Sequence, residues 1–101
     1  MNEIEAKTSD EFIYIDHICK EITTEFKKKN IAYGDSFGKQ FKEFGHISAL
    51  VRISDKYSRI KALLLGAKNE VRDESIKDTL QDLACYCLMT MYELNDQKKS
   101  T

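Results

Sequence analysis

The chain contains no proline, and its only glycines, Gly34, Gly38, Gly45 and Gly66, all fall in the middle third. Average usage would place about five prolines in a chain of this length. Proline breaks helix interiors, while glycine supplies the backbone freedom with which helices end. A sequence lacking the first and concentrating the second reads as long helices punctuated by glycine. The expected fold is all-α: three long helices plus one short helix, a four-helix-type bundle completed by a second subunit.

The first helix is expected from about Asp10 to Asn30. Ser9 is its N-cap, Asp10 and Glu11 suit its first turn, and Lys27, Lys28 and Lys29 suit its last. Its apolar stripe is Phe12, Ile15, Ile18, Cys19, Ile22 and Phe26. Gly34 offers a stop, and Asp35 or Ser36 caps a short helix carrying Phe37, Phe41 and Phe44. Gly45 breaks it. The third helix runs from about Ile47 to Leu65 with Leu50, Ile53, Tyr57, Ile60 and Leu64 inward, and Gly66 ends it. Asp73 caps a fourth helix reaching about Leu94, with Ile76, Leu80, Leu83, Ala84, Cys87 and Met91 as its core stripe. Residues 1–8 and 95–101 are expected to fray.

A length of 101 residues suits one domain, 1–101, with a core that is not generous, so association with copies of itself would help. An apolar fraction of 42% and a charged fraction of 33% fit a soluble globular protein. The net charge of −1 gives no case for DNA, RNA or an anionic membrane surface. No run approaches the roughly 20 apolar residues that span a bilayer. The N-terminus, "MNEIEAKTSDEF", lacks the basic start and apolar run of a signal peptide. A cytoplasmic protein is expected, and its three cysteines read as reduced, small hydrophobes.

The fourth helix carries a second pattern. Glu74, Asp78 and Asp82 share the side opposite Leu80, and Cys85, Met89 and Tyr92 continue it. A solvated face does not normally change from carboxylates to such residues. The acidic stripe is therefore expected to face protein, and carboxylates there need cations or a metal. Arg52, Lys56 and Arg59 supply a cationic row on one face of the third helix. Arginine grips phosphate with two parallel donors, and lysine adds a point charge. The plainer alternative is that the two rows pair with each other as interhelical salt bridges.

Mg²⁺ takes oxygen ligands, commonly one or two carboxylates with water and substrate phosphate. Glu21 and Glu25, beside the stripe of the first helix, could join Glu74, Asp78 and Asp82 around such an ion. Metal there would activate water and neutralise a pyrophosphate leaving group. The alternative has Glu21 and Glu25 pairing with nearby lysines. "KNIAYGDSF" lacks the P-loop spacing, though Tyr33 could stack on a base. His17 and His46 are isolated, so no nucleophilic triad is assigned, and no catalytic residue is named.

Three stretches, "KKKNIAYGDSF", "LVRISDKYSRIKALL" and "VRDESIKDTLQDLACY", carry a resemblance. Over roughly Lys28 to Met89 the chain resembles the nucleotide modification-associated domain family, found largely in phages and prophages. That family is similar to the all-α nucleoside triphosphate pyrophosphatases, the MazG and dimeric dUTPase group. The resemblance implies an all-α fold with helices paired between subunits, a role in handling nucleotides, and a bacterial host cell as the setting. It adds Lys29 and Tyr33 to Arg52, Lys56 and Arg59 as ligand-binding candidates. Here the carboxylate pairs are Glu21-x-x-x-Glu25 and Glu74-x-x-x-Asp78, each one residue longer than the spacing typical of the pyrophosphatases.

Three readings follow. The first is a Mg²⁺-dependent nucleoside triphosphate pyrophosphatase. The second is a non-catalytic binder that sequesters a nucleotide, or a cyclic or ADP-ribose-type immune signal. The third is a structural helical oligomer whose charged stripes are salt bridges.

Overall fold

The computed structural model describes residues 3–66 and 73–100. These residues form four helices and no strand, an all-α fold: α1 (Glu3–Tyr33), α2 (Ser36–Phe44), α3 (His46–Leu65) and α4 (Asp73–Ser100). The inner boundaries fall within three residues of those expected, α1 ending at Tyr33 rather than about Asn30. The ends do not: α1 starts at Glu3, ahead of the expected cap at Ser9, and α4 continues through the expected frayed tail to Ser100. Propensity explains both, since the added stretches are free of proline and glycine and rich in Glu, Lys, Ala and Gln.

The chain divides into two compact units, Met1–Tyr33 and Gly34–Thr101. In the first, α1 carries ion pairs along its own surface: Lys20 to Asp16 at 2.9 Å and Lys28 to Glu25 at 3.7 Å. Its predicted stripe is only partly covered. Ile22 is buried and Ile18 and Phe26 are half-buried, while Phe12, Ile15 and Cys19 are exposed.

The second unit begins with a tight turn. Gly34 (φ 61°) and Asp35 (φ 57°) both adopt left-handed backbone, a conformation that glycine accepts freely and aspartate better than most residues. The Asp35 carboxylate accepts a hydrogen bond from the Gly38 amide at 3.3 Å and so caps α2. A side chain at Gly38 would meet that carboxylate, its Cβ coming within 2.5 Å of Oδ2. Gly45 (φ 74°) then turns the chain between α2 and α3, its amide donating to the Phe41 carbonyl at 2.8 Å.

Phe37 and Phe41 of α2 are the centre of the core. With Ala49 of α3 they form a buried cluster against which Tyr86 and Met89 of α4 pack. Phe41 is only 2% exposed, the most deeply buried large side chain among those described. Phe37 stacks on Tyr86 with ring centres 5.9 Å apart, and Phe41 lies 5.5 Å from His46. Ile60 and Leu63 are buried further along α3.

This packing corrects the expected faces. On α3, Ile60 is buried as expected, but Ala49 and Leu63 are buried with it, whereas Leu50, Tyr57 and Leu64 are exposed. On α4, Thr79 (4% exposed) and Glu93 (5%) are buried, and Leu80, Cys87 and Met91 are exposed. The side of α4 continuing from the carboxylates is indeed packed at Met89, though Tyr92 is exposed. The reason is geometric. Both helices are apolar over more than one face, and Ala49 and Thr79 are small enough for close helix approach. Periodicity ranks faces by hydrophobicity, while packing here selects for fit.

Arg52 belongs to this core. Its guanidinium carbon lies 5.9 Å from the Phe37 ring centre and 5.7 Å from that of Tyr86, and its Nη2 donates to Gln40 Oε1. The aromatic rings attract the cation, and its planar fork packs against the stacked pair. Replacing Arg52 with Ala is expected to cost about 2 kcal/mol of stability. Lys at this position recovers only part of it. Urea denaturation midpoints measure both.

Glu93 supplies a pH signature. Burial pushes its carboxyl above the ordinary glutamate range; Lys42 opposes the rise, and Asp35 and Asp96 add to it. A carboxyl raised in the folded state holds its proton more tightly there than in the unfolded chain. The stability it lends is therefore full below the ordinary glutamate value and is lost as pH rises through the folded value. Glu93→Gln is expected to flatten the fall in stability over that window and to exceed the wild type above it, read from urea midpoints at a series of pH values.

Candidate functional site

A cleft of about 650 Å³ opens between α3 and α4, lined by Asp55, Lys56, Ser58, Arg59, Ala62, Asp78, Thr79 and Asp82. The two helices bring these residues together through simple spacing. Asp55, Arg59 and Ala62 follow one another at four and three residues on α3, and Asp78 and Asp82 are one turn apart on α4. Ala62 contributes only a methyl group to the lining, which leaves room where a longer side chain would fill the gap.

Lys56 and Asp82 join across the cleft, Nζ to Oδ2 at 3.4 Å, both side chains being about a quarter to a third exposed (23% and 33%). A partly exposed pair of this kind contributes modestly, up to about 1 kcal/mol. Arg59 donates from Nε to Thr79 Oγ1 at 3.3 Å. That bond occupies one nitrogen of the guanidinium. Among the described residues no carboxylate takes the terminal pair of nitrogens. Among the described residues Arg59 is thus held in place by a neutral hydroxyl, with no carboxylate paired to its charge.

The predicted site residues meet different fates. Lys56, Arg59, Asp78 and Asp82 share the cleft. Arg52 does not line it, lying instead against the stacked pair of Phe37 and Tyr86, so the cationic row is divided between core and cleft. The three cations expected to share a phosphate face lie on one side of α3, with aromatic rings holding the first and the cleft the other two. Glu21 and Glu25 lie in the Met1–Tyr33 unit and pair on their own helix, Glu21 with His17 Nε2 at 2.9 Å and Glu25 with Lys28. Lys29 and Tyr33 are at the end of that helix, both exposed. The side chain of Glu74 lies outside the described residues. Among the described residues no three of His, Cys, Asp and Glu converge so as to hold a metal ion.

Sequence reasoning missed Asp55, Ser58 and Thr79 as members of the site. A signal existed for Thr79. It stands three and seven residues before Asp82 and Tyr86, the side of α4 that packs, and a hydroxyl there needs a partner. Asp55 is one turn before Arg59, a spacing that usually reads as a surface ion pair and so attracts no notice.

No described helix is long and apolar enough to cross a membrane. No curated protein and no solved structure matches the chain. A family model does, over residues 29–94, from the last turns of α1 through all of α2 and α3 and along most of α4. The cleft and the aromatic core both fall inside that stretch, and the chain belongs to the family described as nucleotide modification associated domain 1.

Proposed function

We propose that this protein binds a nucleotide in the α3–α4 cleft, with Lys56 and Arg59 taking phosphate. The observation that carries the reading is the state of Arg59, anchored through Nε to Thr79 in an open cleft with its terminal nitrogens free of described carboxylates. A guanidinium so oriented is prepared for two phosphate oxygens, and little ordering remains to be done on binding. The family's association with nucleotides agrees with this. An ADP-ribose-type or cyclic signal would present the same phosphate chemistry.

Pyrophosphate release from a nucleoside triphosphate, as in the MazG and dimeric dUTPase group, is the second reading. It draws on Asp78 and Asp82, two carboxylates one turn apart in the cleft that holds the cations. Mg²⁺ can be held by as few as one or two protein carboxylates beside substrate phosphate. Asp82 is already engaged with Lys56, and the described donors do not make a metal site by themselves. Nucleotide binding is therefore the better supported of the two readings.

A second copy of the chain is part of the proposal. Leu50, Tyr57 and Leu64 of α3 and Leu80 and Met91 of α4 are large, apolar and exposed. Covering them would supply core that a chain of this length otherwise lacks.

Calorimetric titration with a panel of nucleotides tests the first claim. Arg59→Ala is expected to weaken binding at least about tenfold, roughly 1.4 kcal/mol. It should change stability by no more than about 1 kcal/mol, because Arg59 gives up one hydrogen bond and Thr79 keeps another interaction. A large loss of stability with no nucleotide bound by the wild type would instead support a purely structural oligomer. For the second copy, sedimentation equilibrium is expected to show a dimer or larger assembly that Leu80→Glu dissociates.

A further inference from the structure

The balance of charge in the cleft narrows the ligand. Two cations, Lys56 and Arg59, face three carboxylates, Asp55, Asp78 and Asp82. One of the cations is already met, since Lys56 lies 3.4 Å from Asp82. Arg59 keeps one edge that no described carboxylate occupies, a geometry suited to two oxygens of one phosphate group. Asp55 and Asp78 are exposed and meet no cation among the described residues.

We infer that the cleft is built for a nucleoside carrying a single phosphate, with Arg59 on the phosphate and Asp55 and Asp78 on sugar hydroxyls or a base amino group. This rests on the nucleotide-binding reading above. An ionised carboxylate only accepts hydrogen bonds, so Asp55 and Asp78 call for a ligand rich in donors beside its anionic group. A nucleoside monophosphate has both: one dianionic end, and hydroxyl and amino donors at the other. Among the described residues that line the cleft a triphosphate finds no further cation, and the added phosphates would approach Asp55 and Asp78. The hydroxyls of Ser58 and Thr79 line the same space and add neutral contacts. The volume of about 650 Å³ lies within the range of sites that enclose small molecules.

The test is calorimetric titration of the full chain, in buffer containing a chelator, with nucleoside 5′-monophosphates, the matching triphosphates and the bare nucleosides. The monophosphate is expected to bind most tightly, with the triphosphate about tenfold weaker. The double variant Asp55→Asn, Asp78→Asn, altered only at exposed positions, is expected to bring the triphosphate to parity with the monophosphate or beyond. A wild-type protein that prefers the triphosphate overturns the inference, as does a double variant that leaves the ratio unchanged. If no nucleotide of any kind binds, the parent reading falls instead.

Discussion

The second unit depends on the insertion of two phenylalanines from a very short helix into a pair of long ones. α2 has nine residues, too few to hold a helix in water without tertiary support. It persists because Asp35 caps its start and because Phe37 and Phe41 reach Ala49, Tyr86 and Met89. The same contacts set which sides of α3 and α4 meet. With Ala49 and Tyr86 against the phenylalanines, Arg52 is drawn against the stacked rings. The packed side of α4 then runs through Asp82 and Thr79, opposite Lys56 and Arg59. The cleft is therefore a consequence of the aromatic core: it opens farther along the seam, where the side chains become short or charged and no apolar group fills the space.

Arg52 and Arg59 show how one sequence signal divides in three dimensions. They are seven residues apart and share a helix face, so by sequence they are equivalent. Position along the seam separates them. Arg52 sits where α2 crosses and finds two aromatic faces and an amide oxygen. Arg59 sits beyond the reach of α2 and, among the described residues, finds a threonine hydroxyl. The first cation is consumed in holding the fold, and the second is left with capacity for an external anion.

Much of the fold was legible because glycine placement is a local signal. Gly34, Gly45 and Gly66 mark the breaks that the structure contains, and the all-α class follows from the stretches between them. The inward faces were less legible. Periodicity locates apolar stripes but does not say which stripe meets which helix, and α3 and α4 each have more than one. The small residues that permit close approach, Ala49 and Thr79, carry little weight in any hydrophobic count. Pairing of Lys56 with Asp82 was foreseeable from complementary rows, whereas the capture of Arg52 was not, since it needs Phe37 and Tyr86 brought together from distant parts of the chain.

The extent of the family match bears on which site can belong to the family's shared chemistry. Residues 29–94 include every residue lining the cleft and every member of the aromatic core. Glu21 and Glu25 fall outside that stretch, in a separate unit, and each already has a partner on its own helix. A mechanism needing all of Glu21, Glu25, Glu74 and Asp78 would thus draw half of its carboxylates from beyond the matched segment. A mechanism needing only Arg59, Lys56 and the carboxylates beside them draws on nothing outside it. The more economical assignment puts ligand recognition in the α3–α4 cleft and leaves the acidic residues of α1 to that helix's own surface.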